Sequence, residues 1–68
     1  MIYFSRSIDD NVIMTSQEPV LENGIWKAKT ECYMGKYSEL IKVKEYSFLI
    51  GLTVENSPAS IKLVFNTL

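Results

Sequence analysis

Between Ile25 and Met34 apolar and polar residues trade places at almost every step. Trp26, Ala28, Thr30, Cys32 and Met34 fall on one side of an extended chain, while Ile25, Lys27, Lys29, Glu31 and Tyr33 fall on the other. A two-residue period belongs to a half-buried strand, because successive side chains of a strand point to opposite faces. Immediately before it, Asn23-Gly24 follows Val20-Leu21-Glu22. That dipeptide readily supplies the two positive φ angles of a type I′ turn, so a hairpin centred there is expected. Trp26, Ala28, Cys32 and Met34 are expected to face the core.

Two further hairpins follow from the same kind of pattern. Ile2 to Ser7 and Val12 to Ser16 are rich in strand-forming residues and are separated by Ile8-Asp9-Asp10-Asn11, whose Asp and Asn side chains bond nearby backbone amides in tight turns. Pro19 then interrupts pairing, having no amide hydrogen to give to a ladder. Towards the end of the chain Phe48, Ile50, Leu52 and Val54 alternate with Leu49, Gly51, Thr53 and Glu55. Ile61, Leu63 and Phe65 likewise alternate with Lys62, Val64 and Asn66, and Asn56-Ser57-Pro58 makes the turn between the two runs.

The segment 37–45 is ambiguous. Tyr37, Leu40 and Ile41 would form one stripe of a short helix, whereas the β-branched Ile41 and Val43, alternating with Lys42 and Lys44, favour a strand. Strand is preferred. The fold class expected is therefore all-β, a small antiparallel barrel or two-layer sandwich of about six short strands, which hides edges and encloses a core. The alternative is an α+β arrangement, an antiparallel sheet with one short helix near 37–45.

At 68 residues the chain makes a single small domain over 1–68, and 47% apolar residues with 7 basic against 8 acidic side chains argue against disorder. There is no histidine, which removes the commonest general base and metal ligand. Cys32 is the only cysteine and is expected to be a buried, inert thiol. With no disulfide to form, a cytoplasmic location is expected. No basic segment precedes an apolar one near Met1, and the longest apolar run, Tyr46 to Leu52, is broken by Ser47 and Gly51, so neither a signal peptide nor a membrane span is expected.

Asp9-Asp10 reads as a solvated turn, since a calcium loop would need further oxygen ligands at regular spacing. Gly24, Gly35 and Gly51 are isolated and build no phosphate loop. No catalytic group, cofactor or metal site is expected.

Charge is unevenly placed. Residues 1–26 set Arg6 against Asp9, Asp10, Glu18 and Glu22, whereas residues 27–44 set Lys27, Lys29, Lys36, Lys42 and Lys44 against Glu31 and Glu39. The middle of an acidic chain is thus basic. Ile25, Lys27, Lys29 and Tyr33, with Lys36 and Tyr37 next along the chain, are expected to form an apolar contact patch rimmed by lysines.

By elimination, the expected function is a small non-enzymatic protein-binding module: a regulator or inhibitor of a larger protein, such as a phage-like antagonist, or a small subunit of a complex. The partner is another protein, and self-association is expected because so short a chain leaves apolar surface wet. The alternative is a single-stranded nucleic-acid module, in which the same lysines meet phosphates and Tyr33 and Tyr37 stack on bases. An overall acidic charge ranks it second.

Overall fold

Ile2–Arg6 (β1) and Asn11–Thr15 (β2) pair antiparallel, with Tyr3 opposite Thr15 and Arg6 opposite Val12. The expected turn joins them: the Asn11 amide donates to Asp9 Oδ1 at 3.1 Å, and Asp10 takes a φ of 72°, a conformation that Asp and Asn tolerate better than most residues. The computed structural model describes residues 1–61. Within them Val20–Glu22 (β3) and Ile25–Lys27 (β4) form the expected hairpin, and φ is positive at both Asn23 and Gly24. Glu31–Lys36 (β5) pairs with β2, and Ala59–Ile61 (β6) with β1. The result is a four-stranded antiparallel sheet in the order β5-β2-β1-β6, beside a two-stranded ribbon of β3 and β4.

Antiparallel strands therefore dominate, as expected, and one short α-helix joins them. That helix, Tyr37–Leu40 (α1), lies where the alternative fold placed it, which corrects the preference for strand. It rests on β5 at Gly35, where Leu40 stands over a backbone that carries no side chain. Beyond it Lys44–Leu49 winds as 3-10 helix with a kink at Tyr46. The strand expected over 48–54 does not form: the run it was to pair with begins in β6, which pairs with β1 instead. The alternation at Leu63 and Phe65 lies outside the described residues.

One face of the sheet carries the core. Phe4 and Val12 meet Leu40 from α1, Leu49 from the 3-10 helix and Leu52 just after it, and Ile2, Met14, Met34, Tyr37 and Tyr46 close around them. Met34 reaches this face through a bulge: Val12 pairs with Gly35 and Ile13 with Tyr33, leaving Met34 as the extra residue. The opposite face is covered as well. Ser5, Ile13 and Thr15 are buried there, and the ribbon is tied to this side by the Trp26 amide, which donates to Ser7 Oγ at 2.9 Å.

The unbroken strand expected from Ile25 to Met34 is two strands of two different sheets. The chain leaves β4 after Lys27 and enters β5 at Glu31. Local periodicity reports that each piece is extended but says nothing about where either pairs. In consequence Trp26, Ala28, Cys32 and Met34 do not share a buried face: only Met34 packs on the core, Trp26 and Ala28 are half-buried elsewhere, and Cys32 is exposed at the sheet edge.

Candidate functional site

A groove of about 390 Å³ lies between the ribbon and the second face of the sheet. Its apolar walls are Ile25, Trp26 and Ala28 from the ribbon side and Ile13 and Tyr33 from β2 and β5. Ser7, Asp9, Asn11, Lys27 and Glu31 supply the polar margin. The turn geometry places the ribbon here: the Ile8 amide donates to the Gly24 carbonyl at 3.0 Å, and Ile8 lies so close that a Cβ on Gly24 would come within 2.7 Å of it.

Two polar atoms of groove-lining residues are shielded from solvent and have no hydrogen-bond partner among the described residues. They are the indole nitrogen of Trp26, a donor, and Asn11 Oδ1, an acceptor. Asn11 spends its amide nitrogen on Asp9 Oδ2 at 2.9 Å, so its oxygen is the atom left over. Buried polar groups are normally satisfied, and leaving one unmade costs about 1–3 kcal/mol.

Of the six expected contact residues, Ile25, Lys27 and Tyr33 converge on this groove, and Tyr33 is 59% exposed. Lys27 lies 3.6 Å from Glu22 across the ribbon. Lys36 stands at the margin, its ammonium donating to the Asp9 carbonyl at 2.9 Å. Lys29 instead lines a separate cleft with Thr30, Glu31 and Cys32. Tyr37 is on the core side of the sheet, half-buried, with the Arg6 guanidinium 3.8 Å above its ring and its hydroxyl accepting from the Gly51 amide. The expected exposure of Tyr37 is therefore corrected: the turn into α1 swings it across the sheet. Ile13, Asn11 and Trp26 were not expected in a site. Pro19 is the one sequence signal that bears on them, since by breaking the ladder before β3 it separates the ribbon from β2.

Asp10, behind the groove, is held below its ordinary carboxyl value. The Ser38 amide is the main cause, followed by the Ser38 hydroxyl and by Arg6. Among the described residues no three of His, Cys, Asp or Glu cluster to hold a metal ion, and no helix is long and apolar enough to cross a membrane. No protein family, curated protein or solved structure matches this chain.

Proposed function

We propose that this chain is a small non-enzymatic protein-binding module, a regulator or inhibitor of a larger protein or a subunit of a complex, and that its partner enters the groove around Ile25, Trp26 and Tyr33. The observation that carries this reading is the convergence of apolar side chains from two sheets on one groove, Ile25 and Trp26 facing Ile13 and the exposed Tyr33 inside a polar margin. A large aromatic side chain in a partly dry pocket is also the commonest kind of binding anchor. The cytoplasm suits an exposed lone thiol such as Cys32, which stays reduced there.

The nucleic-acid reading gains no such support. Its lysines and tyrosines are dispersed, with Tyr37 turned to the core side and Lys29 on another cleft.

The test is a photo-activated cross-linker installed at Tyr33 in the source cell. A discrete adduct with a protein other than this chain is expected, lost when Ile25→Asp is added and absent when the cross-linker is moved to Glu55, outside the groove. An adduct that persists in the Ile25→Asp background, or none at position 33, would overturn the reading.

A further inference from the structure

We infer that the outer edge of β5 pairs with the same edge of a second copy of this chain, antiparallel about a two-fold axis, with Glu31 opposite Lys36 of that copy. Glu31 and Tyr33 of this strand also line the groove, but the inference rests on strand pairing and charge and not on what fills the groove, so either reading can fail without the other.

β5 ends the sheet, and among the described residues no strand takes its outer side. It is the longest strand among the described residues, six residues without proline, and four of them are exposed. Such an edge presents unpaired backbone groups and invites another strand. Its charges decide which strand fits. Glu31 pairs with Thr15 and Lys36 with Asn11, and these two β2 residues lie four apart on a regular strand, so they share a face. Glu31 and Lys36 consequently share that face too. Five residues apart, they would otherwise point to opposite faces, and the bulge at Met34 brings them together.

An antiparallel copy then sets Glu31 against Lys36 and Lys36 against Glu31, two attractive pairs on one face, with Cys32 opposite Gly35. Opposite charges across strands favour pairing and like charges oppose it. Glu31 has no ion pair among the described residues, so it is free to make this one. Lys36 would give up its bond to the Asp9 carbonyl. The other sheet edge, β6, is Ala59-Ser60-Ile61 and carries no charge, so it has no comparable self-complementarity.

The experiment is sedimentation equilibrium over about a hundredfold range of concentration, under reducing conditions, with circular dichroism confirming the fold of each variant. The wild type is expected to show a monomer–dimer equilibrium that weakens as salt rises. Glu31→Lys alone and Lys36→Glu alone each create two like-charge pairs and should weaken dimerisation about tenfold or more. The combined Glu31→Lys/Lys36→Glu variant should return to within about threefold of wild type, since the pairs are merely reversed. A nitroxide on Cys32 in the otherwise unaltered chain gives a reading that needs no charge variant. The proposed register puts the two Cys32 Cα atoms about 8 Å apart, from the strand spacing and the two rises that the bulge leaves between Cys32 and Gly35, whereas contact through β6 would put them at the far ends of the joined sheet. A monomer at every concentration, a dimer indifferent to the single changes, a double variant as weak as the singles, or a long Cys32 separation would each overturn the inference.

Discussion

Arg6 shows how much one polar residue can do in so small a core. Its guanidinium donates to the Leu52 carbonyl at 2.9 Å, meets Asp10 Oδ1 at 3.0 Å and lies over the Tyr37 ring, so β1, the first turn, α1 and the segment after the 3-10 helix are joined through one planar group. Lysine keeps the charge but neither the flat face nor the second directed bond. Arg6→Lys is therefore expected to cost about 2 kcal/mol, read as a lower urea midpoint at neutral pH. Asp10 adds a dependence on pH. Its carboxylate accepts the Ser38 amide at 3.1 Å, and that bond, more than Arg6, lowers its folded-state pKa from the ordinary 3.8. A depressed carboxyl stabilises the fold fully above its ordinary value, and the contribution is lost as pH falls below that value through the folded-state one. Asp10→Asn suits the positive φ and cannot titrate, so its stability should vary less than that of the wild type between about pH 5 and pH 2. Equal acid sensitivity in both proteins would show that other groups govern acid unfolding.

Elements could be read from the sequence where the information that forms them is local. Asn23-Gly24 and the Asp9-Asp10-Asn11 turn carry their own conformational preferences, and both hairpins form. The helix α1 has no such signal. It is four residues long, lacks a capping side chain and is followed by Ile41 and Val43; what holds it is distant, Asp10 accepting from the Ser38 amide and Gly35 lying beneath Leu40. The run 48–54 was misleading for a related reason. Its alternation suits a strand, yet Leu49 and Leu52, three apart, are the residues buried, while Phe48 and Ile50 are 51% and 65% exposed. β6 pairs with β1 rather than with this segment, whose Leu49 and Leu52 pack into the core, and a distant pairing of that kind leaves no local trace. The well-read turn can be tested at its tightest point. Gly24 combines a φ of 79° with the close approach of Ile8, so Gly24→Ala should cost about 2 kcal/mol from backbone strain alone and loosen the ribbon from the sheet. Faster amide exchange confined to 20–27 is the expected observation, and unchanged exchange there would show that Ile8 yields without cost.

The groove illustrates what a whole molecule adds to its parts. Ile25, Lys27 and Tyr33 were readable as one patch because a single strand was assumed to carry them. They do meet, but across two sheets, and that crossing is what brings in Ile13, Asn11 and Trp26. It also divides the molecule mechanically. The four-stranded sheet owns the packed core, whereas the ribbon is held by few contacts, chiefly the bonds from Trp26 to Ser7 and from Ile8 to Gly24. A two-stranded hairpin is marginal by itself, and regions with few buried contacts open before the global transition. The single tryptophan is on the ribbon. In urea, tryptophan fluorescence should therefore change at a lower concentration than the far-ultraviolet circular dichroism of the sheet, a departure from two-state behaviour. Ser7→Ala should widen the gap. It removes the acceptor of the Trp26 amide at a loss of about 1 kcal/mol, which lowers the fluorescence midpoint by about 1 M urea and leaves the dichroism midpoint nearly in place. Coincident transitions in both proteins would mean that ribbon and sheet unfold as one unit. The groove between them would then be a rigid feature of the fold, and a partner would have to bind it without moving its walls.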